Sequence, residues 1–276
     1  MKILTLNTHT FQHENDGQKL QWLLEAIIRE RPDLVALQQV RQSAQAPEAE
    51  QEQMTGLIFA PDSGDAPLRR DNLAAQVAAG LRRSGLECNW TWLGVREEGC
   101  EGLAVLSLGR KLGSVDCVDL GGSATAPRKA LGVRLSGMTD WFYTVQMGAW
   151  EDQQAPFADQ WQILDNALKA KRSRTRVWLM GGFGGPSVVR GENYDHVLRS
   201  GWADTYLLAA RRDSGVTQPG IPDQWQDKIR FEVPGLRTDC IWCSRKQYVD
   251  SSYVMFNGIN APVVSDHYGV MIDWKG

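Results

Sequence analysis

The residues able to do chemistry in this sequence gather at the predicted ends of strands. Asn7, Thr8 and His9 form a polar trio directly after the apolar run Lys2 to Leu6, which reads as a buried strand. Asp266 and His267 stand side by side in SDHYGV (265–270), ahead of the last strand signal. A carboxylate beside an imidazole can serve acid–base work or stabilise developing charge; the plainer reading is a capped turn between strands. Arg128 and Lys129 open the segment RKALGV (128–133) and could approach a phosphate, or could edge a solvated strand. Glu101 precedes a strand signal in EGLAVLS (101–107), as a cleft carboxylate or a solvated strand end. Cys240 and Cys243 make a CxxC. They fall in a strand signal, where residues three apart face opposite sides, so a metal or redox site is not expected there.

Composition bounds the partners. The chain has 276 residues, 42% apolar and 23% charged, with a formal charge of −3. That is the make-up of a folded domain, and it lacks the Lys/Arg excess of a nucleic-acid clamp. A small phosphate pocket needs only two or three cations and stays open. Basic clusters occur at Arg69–Arg70, Arg82–Arg83 and 169–176, the last at a helix C-terminus where cations favour the macrodipole without any partner. No apolar run approaches the ~18 residues of a membrane span. The N-terminus turns polar at Asn7, too soon for a signal peptide, and the odd set of 5 cysteines has no disulfide-framework spacing. A cytoplasmic, reduced protein is expected. Of the 11 tryptophans, Trp150, Trp202 and Trp225 fall in or beside loops and could form an aromatic wall for a sugar ring. Trp22, Trp161, Trp178 and Trp242 read as core.

The elements that must position these groups follow from periodicity. A helix is predicted from about Gln18 to Arg31, with Leu20, Leu23, Leu24, Ile27 and Ile28 on one face and Pro32 as its stop. A second strand covers Leu34 to Val40. Residues 41–68 read as a long loop, followed by a helix over Asn72 to Ser84. Strands are predicted at Trp90–Val95, Leu103–Leu108, Ala130–Leu135 and Phe142–Met147, then a helix near Phe157–Ala170 and a strand at Val177–Met180 running into a glycine-rich turn. The stretch 209–235 reads as irregular, and strands at Thr238–Ser244, Tyr253–Asn257 and Tyr268–Asp273 close the chain. Many strands, few helices and no composition break predict one domain over 1–276. Two sheets packed face to face with helices outside would bury this pattern.

Four segments in order resemble the endonuclease/exonuclease/phosphatase superfamily: LTLNTH (4–9), PDLVALQQV (32–40) for PDxxALQEV, VWLMGGFGGP (177–186) for a strand then GDFNxP, and SDHYGV for SDHxGV, preceded by RTDCIW (237–242) for RxDYIF. Within it, 190–209 and 256–267 look like bacterial sugar-phosphate phosphatases of the maltose 6'-phosphate phosphatase type, as does 149–161. The resemblance implies a four-layered α/β sandwich and Mg²⁺-assisted hydrolysis of phosphate esters. It implies Asn7 beside metal and phosphate, Asp266 on the metal side, and His267 facing the phosphate with Asp239 orienting it. Arg128, Lys129 and Trp150 become candidates for holding substrate.

Several positions depart from the family pattern. Gln39 stands for the metal-binding Glu, Gly182 for the Asp of GDFN and Gly184 for its Asn; Thr144 and Gln146 replace the Asn and His of NTHLG. A Gln offers an oxygen without charge, so Mg²⁺ would be held weakly or lost. Loss of a general base costs ~10²–10⁴ in rate, and loss of a preorganised donor ~10²–10³. The expectation is a catalytically impaired protein retaining a cleft for a small phosphorylated ligand, or binding a protein. The alternatives are a hydrolase rewired around Asp266, Asp239, His267, Glu101 and Asp152, and more remotely a nucleic-acid-binding protein.

Overall fold

A computed structural model describes residues 1–9, 16–61, 67–96, 100–123, 126–149, 152, 155–229 and 233–275. Fifteen strands and six helices follow one another as β1 (Lys2–Asn7), α1 (Asp16–Glu30), β2 (Leu34–Arg41), α2 (Gln51–Met54), α3 (Leu73–Arg83), β3 (Cys88–Arg96), β4 (Glu101–Leu108), β5 (Leu112–Ser123), β6 (Ala126–Leu135), β7 (Trp141–Gln146), α4 (Phe157–Arg174), β8 (Val177–Gly182), α5 (Asn193–Arg199), β9 (Ala203–Asp204), α6 (Thr205–Leu208), β10 (Ala209–Arg212), β11 (Gln218–Pro219), β12 (Gly235–Leu236), β13 (Asp239–Cys243), β14 (Val249–Met255) and β15 (Gly269–Trp274). One mixed sheet has the order β10-β14-β15-β1-β2-β4-β3 and the other β5-β6-β7-β8-β13-β9. The pairs β1–β2 and β7–β8 are parallel.

Strand alternation builds the four layers. Along β1, Leu4 and Leu6 turn outward onto Leu23 and Ile27 of α1 and Val77 and Leu81 of α3. Ile3 turns inward with Leu34, Val105, Phe142, Trp178 and Ile241, a core contributed by both sheets. On the far side Val177 and Leu179 meet Phe157, Trp161, Leu164 and Leu168 of α4. The order is helices, sheet, sheet, helices. The same period of two gives every strand-end residue a predetermined side, inward between the sheets or outward under a helix.

Some boundaries differ from the sequence reading. The stretch 41–68 is not all loop: Glu50 caps the short α2, and bridges join Glu48 to Arg69 and Leu57 to Trp90. Likewise 209–235 supplies β10, β11 and β12, too short to leave a periodic signal. β5 lacks an apolar run because it edges its sheet and is mostly half-buried. Cys240 and Cys243 do face opposite sides, one toward α4 and one into the inter-sheet core, and burial pushes their thiols up to about 12 and about 11. Trp202 and Trp225 form no aromatic wall. Both are buried, Trp202 edge-on to Trp161 and Trp225 in a small cluster with Ile229 and Leu236. Trp150 lies outside the described residues.

Candidate functional site

The site assembles at the strand ends, on inward-facing positions. Thr5 and Asn7 alternate inward with Ile3 along β1; Thr144 and Gln146 do so with Phe142 along β7, and Gly182 with Met180 along β8. The register places Gln146 opposite Gly182, and Gly182 opposite Asp239, making one row across β7, β8 and β13. Beneath that row Gln38 ties the sheets together, donating from Nε2 to Thr5 Oγ1 at 2.9 Å and to Thr144 Oγ1 at 2.7 Å.

Gln38 uses the inward position, so regular alternation would turn Gln39 under the helices. A bulge prevents this: the β2–β4 register shifts between Leu37 and Val40, and Gln39 adopts φ 51. A left-handed backbone at a non-glycine residue is costly and clusters at functional sites. Here it re-aims Gln39 into the row. Its Oε1 accepts from Asn7 Nδ2 at 2.9 Å, and the same Nδ2 reaches Gln146 Oε1 at 3.3 Å. Gln39 Nε2 lies 3.5 Å from Glu101 Oε2.

Two His–Asp pairs face this amide chain. His267 Nδ1 is 2.8 Å from Asp239 Oδ2, which also accepts from Thr238 Oγ1 at 2.9 Å. Thr217 Oγ1 accepts the backbone N–H of Thr238 and of Asp239, at 3.0 and 3.1 Å, and fixes the carboxylate's entry angle. Burial pulls His267 down, but the Asp239 charge and hydrogen bond outweigh it and raise the imidazole to about 8. The second pair is His9 Nδ1 to Asp266 Oδ2, 2.9 Å, with Ser265 Oγ donating to Asp266 Oδ1 at 3.1 Å. The hydrogen bond to Asp266 raises the His9 pKa; burial opposes a lowered Asp266, and its pairing with His9 prevails.

A pocket beside the chain is lined by Gln39, Arg96, Glu101, Arg128, Lys129 and Gln146, among others. Arg41 holds Glu101 through Nε and Nη2 at 3.2 and 3.1 Å, and Arg96 Nη1 lies 3.5 Å from the other oxygen. The sequence reading passed over Arg41, Arg96, Gln38 and Thr217. Arg41 and Arg96 end β2 and β3 at the same rim as Asn7, a signal that was there to use. Thr217 sits in the irregular stretch and gave none.

The residues present do not fit a Mg²⁺ ion, which demands near-octahedral oxygen coordination. The amide oxygens of Gln39 and Gln146 both accept from Asn7. Glu101 is held by guanidinium groups, Asp239 by His267 and Asp266 by His9. Among the described residues no three His, Cys, Asp or Glu side chains come together to hold a metal. Gln146 also occupies the space of a side chain at 182, since a Cβ on Gly182 would lie 2.3 Å from its Oε1. Gly184 is a different case. It has φ +63, and a Cβ there would fall 1.8 Å from the Gly148 carbonyl oxygen, so an Asn at 184 requires the backbone to move.

No family model matches the sequence, and no curated protein matches it either. Solved structures do match in shape. An endonuclease/exonuclease/phosphatase family protein from Leptotrichia buccalis superposes with TM-score 0.81 at 23% identity, covering 100% of both chains. A mannosyl-6-phosphatase from Bacteroides thetaiotaomicron gives 0.70 at 13%, again over 100% of both chains. A 3' phosphatase from Neisseria, bound to product DNA hairpin, gives 0.65 at 17% over 100% of each.

Proposed function

We propose, from the endonuclease/exonuclease/phosphatase fold that this chain has, that it is a hydrolysis-deficient protein binding a small phosphorylated ligand, with phosphosugars the first class to try. The observation that carries this reading is the amide chain Asn7–Gln39–Gln146, closed on itself beside Gly182. Neutral amides stand along this row, and among the described residues the nearby carboxylates Glu101, Asp239 and Asp266 are each paired with a cation or an imidazole. What remains is suited to holding an anion: His267, kept protonated to about pH 8 by Asp239, and the cations of the adjoining pocket. The sugar component rests on the mannosyl-6-phosphatase among the neighbours and on the sequence resemblance.

A hydrolase rewired around Asp266, Asp239, His267, Glu101 and Asp152 is the second reading; it is less favoured because Glu101 is held by Arg41 and Asp266 by His9. A nucleic-acid role has less support. Arg82 is spent on the carbonyls of Glu52 and Thr55, and Arg172 on Asp165 and Ser200.

The test is phosphate release from mannose 6-phosphate and glucose 6-phosphate with Mg²⁺, for the protein and for Gln39→Glu/Gln146→His/Gly182→Asp. Position 184 is left alone because its backbone admits no side chain. The unchanged protein should release phosphate at background rate, and the triple variant should gain about 10²-fold or more in Mg²⁺-dependent release. Ordinary Mg²⁺-dependent turnover by the unchanged protein would end the proposal.

A further inference from the structure

One wall of the cleft is built from cations whose hydrogen bonding is unfinished. Arg96 closes β3 and Arg128 lies in β6, and both line the pocket that holds Gln39, Glu101 and Gln146. Among the described residues the Nε of each is buried without a hydrogen-bond partner. Arg128 Nη1 makes only a long bond, 3.4 Å, to the Gln146 carbonyl, and Arg96 Nη1 reaches Glu101 Oε1 at 3.5 Å. A buried N–H without an acceptor is costly, and more so on a charged group. The two arginines also repel: burial first, and then the Arg96 charge, lower Arg128 to about 10. Among the described residues the charged side chains lining this pocket are Arg96, Arg128 and Lys129 and the carboxylate Glu101, which Arg41 also holds. Three positive groups against one negative among these lining residues leave a local excess of positive charge. A fold optimised only for its own stability would not keep like charges together under a poor set of acceptors.

We infer that Arg96 and Arg128 form a two-guanidinium clamp for the phosphate group of the ligand, holding it with no divalent cation. The planar guanidinium presents paired N–H donors at the spacing of two phosphate oxygens, and such charge-assisted bonds are among the strong ones. An oxyanion between the two would supply acceptors to the donors that lack them and remove the repulsion between the cations. The two guanidinium groups would in turn give the phosphate the charge compensation that a bound metal gives in a metal-dependent phosphoesterase. The choice of a phosphate group rests on the phosphorylated-ligand reading above; the clamp rests on the two arginines.

The experiment titrates inorganic phosphate, glucose 6-phosphate and glucose into the protein in EDTA by calorimetry, and repeats the phosphate titration with Mg²⁺. Phosphate and glucose 6-phosphate should bind in EDTA, glucose alone should not, and Mg²⁺ should leave the affinity unchanged. Arg96→Gln and Arg128→Gln should each weaken phosphate binding about tenfold or more. Both should keep or raise the melting temperature without ligand, because each relieves a like-charge contact. If Arg128→Gln does not fold, Arg96→Gln and Arg96→Lys decide, the latter keeping the charge without the fork and still weakening binding. Phosphate binding that requires Mg²⁺, or that survives both Gln substitutions, overturns the clamp. Mg²⁺-dependent hydrolysis by the unchanged protein would overturn only the hydrolysis-deficient reading.

Discussion

Asp239 decides the charge on His267. Burial alone would lower the imidazole, but the adjacent carboxylate raises it to about 8. A folded-state value above the ~6.5 of an unperturbed histidine means that protonation favours the fold. The contribution is complete below ~6.5 and is lost as pH rises through about 8. An NMR titration of the His267 ring protons should therefore show a midpoint near 8, and chemical denaturation should show stability falling between neutral pH and that midpoint. In Asp239→Asn desolvation is opposed only by the smaller effect of the Asp266 charge, and the midpoint should drop well below 8. An unmoved midpoint would mean that Asp239 does not set the charge. Asp266 and His267 were legible because they are adjacent in sequence. That His9 is the partner of Asp266, 257 positions away in the chain, was not.

At the scale of elements, two glycines with the same backbone requirement differ in what surrounds them. Gly184 and Gly191 both have positive φ, +63 and +87, but a Cβ at 191 meets nothing while one at 184 meets the Gly148 carbonyl. Gly191→Ala should cost about 1–2 kcal/mol, the left-handed penalty alone. Gly184→Ala adds a backbone collision and should cost on the order of 3 kcal/mol or more. Urea denaturation of the two variants checks this, and equal costs would show that the 182–186 turn relaxes freely. The sequence presented Gly184 as a lost side chain; the fold makes it a turn that has no room for one. The helix over Asn72 to Ser84 was read more closely, because its ends carry local signals. Asn72 caps α3 by accepting from Ala75 N–H at 3.1 Å, and Ser84 is the C-terminal cap.

For the whole molecule, stability is concentrated where the two sheets meet. Trp178 is fully buried there, stacked on Phe142 at 6.2 Å and tilted against Trp274 at 4.8 Å. Trp178→Ala should cost about 3–5 kcal/mol and lower the global unfolding transition. Trp225 belongs to a small satellite cluster under the 215–236 stretch. Its loss should affect mainly local opening, seen as faster amide exchange around β11 and β12 with little change in the global midpoint. Equal shifts in global stability would mean that the satellite is part of the main core. Among the described residues no helix is long and apolar enough to cross a membrane.

Alone, the sequence determined the strands and helices with strong periodicity, their ordered motifs and hence the two-sheet architecture, because each signal is local or repeats along the chain. It also determined which residue types stand at the strand ends. Tertiary structure decided the rest. The bulge that turns Gln39 inward, the sharing of Asn7 Nδ2 between two glutamines, and the convergence of Arg96 with Arg128 all depend on contacts between distant segments. Side-chain direction at a strand end is set by register against a neighbour, and one extra residue in a strand reverses it. No reading of period along a single chain contains that information.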